Sequence, residues 1–137
     1  MNNYFENAYK MAVKAFNRRE IPVGCVITKN GKIIAKSFNN RQKNYNILGH
    51  AEINCILKAE KKLKDWRLDG CFMYVTLEPC DLCAKIIKEA RIDHVFFLID
   101  NKKSKHLLQN ITQTNDCNVI KNKYLCVFND FFKNLRH

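Results

Sequence analysis

Two short stretches of the sequence carry residues that can bind a metal ion and move a proton. The first, HAE, places His50 and Glu52 two residues apart, and the second, PCDLC, places Cys80 and Cys83 three residues apart. Because three residues is close to one helical turn, both sulfurs can reach one point at the start of a helix. The positive end of that helix favours thiolates, which are the form of cysteine that binds metal.

These residues predict a zinc site with one position left for water. Two thiolates and one imidazole supply three of the four ligands that Zn²⁺ takes in a tetrahedral site, which is the pattern of catalytic zinc. Glu52 lies about 200° around the helix from His50, so we do not expect it to be a ligand of the same kind. Its carboxylate is instead expected to act as general base and then as general acid on the metal-activated water.

Other interpretations of the same residues remain open. A fourth ligand would close the site into a structural one, although His94, His106, His137 and Cys71 have no ligand spacing to either stretch. A redox pair is the other interpretation of C-x-x-C, but it leaves HAE unexplained. Taken alone, Glu52 is also explained as an acidic residue interacting with the positive end of a helix.

The other five cysteines are interpreted as free thiols. Seven cysteines is an odd number, and nothing in the sequence resembles a secreted disulfide framework. Four lie in apolar runs and are predicted to be buried, and the fifth is predicted to be an unimportant loop thiol: Cys25, Cys55, Cys71 and Cys126, then Cys117.

Length and composition predict one soluble domain over residues 1–137. The chain is 47% hydrophobic and 27% charged, and it has no apolar run long enough to span a membrane. The first sixteen residues mix Asn, Glu and Lys with apolar residues, unlike a signal peptide. We therefore expect a cytoplasmic protein without a membrane partner.

A formal net charge of +11 favours a polyanionic partner. It arises from 24 basic and 13 acidic residues, and nine of the basic residues lie between Lys10 and Lys43 with one acid among them. Such a field attracts nucleic acid. However, 18 of the 24 bases are lysine in a chain rich in Asn and Ile, which an AT-rich coding sequence would also produce.

Periodicity predicts the elements that must position the two stretches. An amphipathic helix is expected over 4–16, a β-hairpin through Asn30-Gly31, and helices that begin at HAE and at the cysteine pair. Continuous apolar runs at 71–77 and 94–99 predict buried strands. Residues 117–120 (CNVI) are predicted as a short last strand, 123–135 as a closing helix, and Leu107-Leu108 as weakly helical. This order predicts an α/β domain of three layers, with a central mixed five-stranded sheet between helices.

Both stretches together form the H-x-E…P-C-x-x-C signature of the zinc nucleobase deaminases, with 27 residues between Glu52 and Cys80. The chain resembles the cytidine/deoxycytidylate deaminase superfamily, and within it the bacterial tRNA adenosine deaminases, from the first helix to the C-terminus. The resemblance is carried by IPVGCVITKNGKII, FNNR, HAEI, YVTLEPCDLCAKII with the following ARI, and NDFFK.

The resemblance implies roles for individual residues. It implies one Zn²⁺ per chain held by His50, Cys80 and Cys83, with Glu52 as the proton shuttle. The residues that it implies for substrate binding are Asn39 on the nucleoside, Pro22, Val23 and Gly24 behind the base, and Ala51 and Pro79 beside the ligands. Those that it implies for RNA contact are Phe131, Phe132 and Lys133, with core packing as the alternative for both phenylalanines.

The resemblance also implies a homodimer that binds the anticodon loop of tRNA and converts the wobble adenosine, position 34, to inosine. One alternative is a free-base or nucleoside deaminase of the guanine or cytosine type, and another is a zinc-stabilised RNA-binding module without activity. The sequence departs from the family pattern at 47–49, at Asp81 and Leu82, and over 98–105. These departures spare the ligands but bear on the choice of substrate.

Overall fold

The computed structural model describes residues 1–42 and 45–134, which form helices on both faces of one sheet. The elements in chain order are α1 (Asn2–Asn17), β1 (Gly24–Lys29), β2 (Lys32–Phe38), α2 (Ala51–Leu63), β3 (Cys71–Leu77), α3 (Asp81–Glu89), β4 (His94–Ile99), β5 (Ile111–Gln113) and α4 (Asn118–Asn134). The predicted three-layer α/β fold is therefore confirmed.

The sheet is mixed, and its strand order is β2-β1-β3-β4-β5. Strand β1 pairs antiparallel with both β2 and β3, whereas β3, β4 and β5 run parallel. Parallel strands need a long crossover connection, usually a helix; α3 provides it between β3 and β4, whereas β4 and β5 are joined by a segment without helix. Because α3 begins directly after β3, the cysteine pair lies at the carboxyl end of a central strand.

A tight turn at Asn30-Gly31 joins β1 to β2, as predicted. Both residues have positive φ, 53° and 78°, which is the conformation that a two-residue hairpin turn of this type requires. The register of the pair shifts once, between Ile27 and Thr28.

The two faces of the sheet are buried in separate cores because successive side chains of a strand point to opposite faces. Cys25 and Val75 pair across β1 and β3 and pack towards α2 and α3. Val26 and Tyr74, the next pair, pack with α1 and Tyr124 of α4. Cys83 belongs to the core on the first face, and Cys80 packs against it.

Strand β1 and α1 approach so closely that only glycine fits at position 24. A Cβ added to Gly24 would lie 1.9 Å from the carbonyl oxygen of Ala8 and 2.6 Å from the backbone nitrogen of Ala12. The glycine of IPVG is therefore required by packing against α1.

Three predictions about the second half of the chain were wrong. Residues 117–120 do not form a strand: Cys117 precedes α4, Asn118 begins it, and the last strand is Ile111–Gln113 instead. The closing helix begins five residues earlier than predicted, and its predicted end at Leu135 lies outside the described residues. Leu107 and Leu108 are not helical.

Of the described cysteines none forms a disulfide, and four of the five predicted free thiols are buried. Cys126 is the exception, since it lies on the exposed side of α4. Among the described residues, no helix has both the length and the apolar character needed to cross a membrane.

Candidate zinc centre and active site

His50 and Cys80 occupy equivalent positions, since each is the residue immediately before a helix. His50 caps α2 and Cys80 caps α3, and both have extended backbone conformations, with ψ of 144° and 173°. Neither side chain makes a capping hydrogen bond to its own helix. Both side chains are therefore available to a ligand, and the backbone N–H groups of two helix starts face the same region.

His50, Cys80 and Cys83 converge as the sequence predicted. One nitrogen of the imidazole and the two sulfurs all lie within 4.8 Å of one another. His50 Nδ1 is 3.9 Å from Cys80 Sγ. Cys83 is fully buried in the first turn of α3, whereas the other two are partly exposed, so the group opens on the side of His50 and Cys80.

Asn39, which follows β2, fixes the start of α2. Its Oδ1 accepts a hydrogen bond from the backbone N–H of Ala51 at 2.7 Å, and the residue is only 7% exposed. Asn54 adds a second connection, because its Nδ2 donates to the carbonyl of Phe38 at 3.1 Å and to Asn40 Oδ1 at 2.9 Å. The segment after β2 thus holds the first turn of α2 from both sides.

The two cysteines are held in opposite protonation states by their contacts. Hydrogen bonds from the Cys83 thiol and from His50 lower the pKa of Cys80 to about 4, so Cys80 is a thiolate at neutral pH. The same bond from Cys83 to Cys80, together with burial and the nearby Glu52, raises the pKa of Cys83 far above its usual range. The hydrogen bond with Cys80 also raises the pKa of His50.

Glu52 is a buried carboxyl beside the ligand group, with 4% of its surface exposed. Burial raises its pKa to about 7, and the Cys80 thiolate adds to this effect, while the backbone N–H of Glu52 itself and His50 oppose it. A carboxyl that ionises near neutral pH is suited to taking up and releasing a proton in one reaction cycle.

The donor set fits Zn²⁺. Two sulfurs and one imidazole nitrogen are ligands that zinc prefers, and three of them leave one position of a tetrahedron. Four ionisable side chains packed together resist simultaneous ionisation, as the opposed pKa values of Cys80 and Cys83 show. A divalent cation relieves that repulsion because it stabilises both thiolates at once.

A cavity of about 770 Å³ has Asn39 in its wall, the residue whose side chain is hydrogen-bonded to the start of α2. Its wall includes three arginines, at positions 18, 19 and 41, and the aromatic rings of Phe131 and Phe132. The Arg18 guanidinium lies 4.8 Å from the centre of the Phe38 ring, and this contact stabilises Arg18 in the wall of the cavity. The arginines escaped prediction as site residues; the run of basic residues from 10 to 43 was the only signal for them.

The residues predicted for substrate binding lie around this region. Val23, Asn39, Ala51 and Pro79 are all buried, and Asn39 is the one that lines the cavity. Val23 is linked to Asn39, because the carbonyl of Val23 accepts the Asn39 backbone N–H at 3.2 Å. Ala51 and Pro79 each precede a key residue of the site, Glu52 and Cys80, and constrain the backbone there.

The predicted RNA contacts on α4 differ in exposure. Phe131 is 9% exposed and packs edge-on against Phe132 with ring centres 5.2 Å apart, so most of its ring is buried in the protein. Phe132 is 37% exposed and Lys133 is exposed. Phe132, for which core packing was the alternative to RNA contact, therefore presents the accessible ring.

Comparison with known proteins identifies the family. The model of the cytidine and deoxycytidylate deaminase zinc-binding region matches residues 1–99, which include both helix starts, the three predicted zinc ligands and Glu52. The chain belongs to this family. The predicted superfamily is thus confirmed, and the His50, Cys80 and Cys83 group fits the one Zn²⁺ per chain that was predicted.

The relatives with similar sequences are tRNA-specific adenosine deaminases. The chain is 43% identical to that of Bacillus subtilis over 94 residues, which is 69% of this chain and 58% of the relative. It is 38% identical to that of Aquifex aeolicus over 100 residues, 73% of this chain and 66% of the relative. The matched region thus spans about three fifths of the Bacillus relative's own length.

Solved structures of two kinds share the fold. A tRNA:A34 deaminase superimposes with a TM-score of 0.78 and 30% identity over 82% of this chain and 97% of that chain. A guanine deaminase from Bacillus subtilis superimposes with a TM-score of 0.69 and 35% identity over 74% of this chain and 65% of that chain.

Proposed function

We propose that this protein is a zinc-dependent hydrolase that deaminates adenosine at position 34 of tRNA to inosine. The observation that carries the proposal is the convergence of His50, Cys80 and Cys83 beside the buried Glu52. Asn39, which is bonded to the start of α2, also lines a cavity whose wall includes three arginines. The tRNA-specific relatives support the choice of substrate.

The reaction replaces the 6-amino group of adenine with oxygen. When bound by His50, Cys80 and Cys83, Zn²⁺ supplies a coordination position for water and lowers the pKa of that water towards neutral. Glu52 takes the proton released as water adds to C6, and it delivers that proton to N1 of the ring. After the C6–O bond has formed, Glu52 moves the remaining proton of the new C6 hydroxyl to the amino group. The C6–N6 bond then breaks, ammonia leaves, and the oxygen stays on C6 as a carbonyl.

The arginines around the cavity support an RNA substrate over a free base. Arg18, Arg19 and Arg41 can each bind a phosphate through two parallel hydrogen bonds. A base must leave its stack to reach a buried carboxyl, and this is easiest in a single-stranded loop such as the anticodon loop. A free purine has no phosphates for these arginines to bind.

We further propose that the single domain works as a cytoplasmic homodimer. A cavity of about 200 Å³ between α2 and α3 is lined by apolar side chains that include Leu57, Trp66 and Ile86. Leu57 is 53% exposed and Trp66 is 55% exposed, which is unusual for side chains of this size. Burial of this face against a second copy would remove it from water.

Incubation of the purified, zinc-loaded protein with a mixture of in vitro transcribed tRNAs tests the proposal. Sequencing should show adenosine read as guanosine at position 34, and Glu52→Gln protein should give no such change. Free guanine, cytosine and adenosine are assayed in parallel for ammonia release. Unchanged tRNA with ammonia released from a free base would overturn the assignment.

Guanine deamination is the second candidate, because a guanine deaminase shares this fold at 35% identity. It would use the same ligands and the same carboxylate. The charge of the cavity separates the two candidates: Arg18→Ala with Arg41→Ala should impair deamination of tRNA and leave deamination of a neutral base unchanged.

A further inference from the structure

The loop between β4 and β5 is tied to the residues that surround Cys80. Glu78, two residues before Cys80, is buried with 3% of its surface exposed. Its Oε1 accepts the backbone N–H of Asn101 at 3.1 Å, and its Oε2 lies 2.7 Å from His106 Nδ1. Asn101 Nδ2 also donates to the Glu78 carbonyl at 3.3 Å.

Asp81 makes a second attachment on the other side of Cys80. Its Oδ1 accepts the backbone N–H of Lys105 at 2.8 Å. The loop is stiffened internally as well, because Asn101 Oδ1 accepts the Lys103 N–H and Ser104 Oγ accepts the His106 N–H. The segment 101–106 is therefore fixed at both ends to the start of α3.

The attachment of segment 101–106 to Glu78 and Asp81 fixes the backbone positions of two lysines, Lys102 and Lys103. Lys102 and Lys103 line a cavity of about 490 Å³ together with Phe128 and Phe132. Ile21 and Phe132 line both this cavity and the one that contains the arginines, so the two cavities are neighbours on either side of these side chains. Basic residues thus stand on both sides of the exposed Phe132 ring.

We propose that Asp81, together with Glu78, is a positioning residue that holds segment 101–106 so that Lys102 and Lys103 contact the phosphates next to the target nucleotide. The proposal rests on RNA being the substrate. Asp81 contacts neither the substrate nor the metal; it acts through segment 101–106. It therefore affects binding of RNA, and the chemical step proceeds at its normal rate once RNA is bound.

The direction of the effect distinguishes positioning from simple electrostatics. Replacing Asp81 with alanine removes one negative charge from a chain of net charge +11, and by charge alone this would strengthen the binding of RNA. A released loop has the opposite effect, since the lysines lose their fixed place. Weaker RNA binding by Asp81→Ala would therefore indicate that Asp81 positions the loop.

The test compares Asp81→Ala with Asp81→Asn, which keeps an oxygen acceptor for the Lys105 N–H, and with Asp69→Ala, which makes the same change of charge elsewhere. We expect Asp81→Ala to raise the KM for an anticodon stem-loop RNA on the order of 5-fold, with kcat and zinc content unchanged. Asp81→Asn and Asp69→Ala remove the same charge without releasing the loop, so neither should raise the KM above that of the wild type. In the background Lys102→Ala with Lys103→Ala, Asp81→Ala should add little, because the residues act as one unit.

Two measurements test the positioning role of Asp81 without relying on tRNA deamination: amide hydrogen exchange and RNA binding. Asp81→Ala should speed amide exchange over 101–106, whether or not the protein deaminates RNA. Binding of the same RNA to Glu52→Gln protein should weaken when Asp81→Ala is added, even if turnover is directed at another base. Loss of zinc or a fall in kcat in Asp81→Ala would overturn the proposal, and so would unchanged KM with unchanged exchange.

Discussion

Asn39 Oδ1 accepts the backbone N–H of Ala51 at 2.7 Å, and this bond connects the end of β2 to the helix that carries Glu52. One oxygen of a side chain therefore sets the position of the first turn of α2. The amide nitrogen of the same side chain remains for the nucleoside, which is the role that the family resemblance implies. Asn39 thus supports the start of α2, and contact with the substrate is its predicted second role.

Replacement of Asn39 should separate these two roles. Asn39→Ala leaves the N–H of Ala51 buried without an acceptor, and we expect it to lower the free energy of unfolding by about 1–3 kcal/mol. Asn39→Asp keeps the acceptor oxygen and should retain most of the stability, but it loses the donor and should raise the KM. Urea unfolding and steady-state kinetics measure the two effects. Equal loss of stability in both variants would contradict the capping role.

Glu52→Gln should keep the metal and lose the activity. The variant preserves the shape of the buried side chain but cannot take up a proton, so kcat should fall by a factor on the order of 100 to 10,000. Zinc content, measured by atomic absorption, should stay at one ion per chain because Glu52 is not in the ligand group. The Glu52→Ala variant should behave in the same way, and loss of zinc from either would refute the assigned role.

Cys83→Ala should lose both zinc and stability. Binding of a ligand at 1,000 times its Kd stabilises a fold by about 4 kcal/mol, and this contribution disappears with the ligand. Cys71→Ala is the matched control, since it removes another fully buried thiol that lies outside the group. A chelator should reduce the stability of the wild type and of Cys71→Ala while leaving Cys83→Ala unchanged. Equal sensitivity of all three would show that the metal binds elsewhere.

The zinc centre was predictable because its residues lie in short patterns next to helix starts. HAE and PCDLC require no knowledge of the path of the chain, and strands β3 and β4 were predicted to the residue because continuous apolar runs mark buried parallel strands. The hairpin was equally local, since Asn30-Gly31 specifies its own turn.

Features that depend on the path of the chain were not predictable. Strand β5 has only three residues, ITQ, which is too short to show a periodic pattern. The apolar residues Val119 and Ile120 of the predicted CNVI strand lie instead in the first turn of α4, where Val119 is 69% exposed. The hydrogen bond between Asp81 and Lys105 spans 24 residues and joins two positions that appeared only as separate departures from the family pattern. The arginines of the cavity likewise converge from the segment after α1 and from the segment after β2.

Tyr124 should make stability depend on alkaline pH. Its hydroxyl donates to the carbonyl of Pro22 at 2.6 Å, and burial raises the pKa of the phenol well above its usual value. Because the folded state holds the proton more tightly than the unfolded state, the stabilisation is complete below about pH 10 and is lost as pH rises towards the folded pKa.

Tyr124→Phe should remove this dependence and cost about 1–3 kcal/mol near neutral pH, because the Pro22 carbonyl loses its donor. Tyr45→Phe is the matched control, since it makes the same substitution at a ring that is 97% exposed. Urea unfolding at about pH 8 and at about pH 11 gives the free energies. Between these two pH values, the wild type and Tyr45→Phe should lose more free energy of unfolding than Tyr124→Phe does. Parallel losses in all three would mean that the phenol of Tyr124 does not connect α4 to the segment before β1.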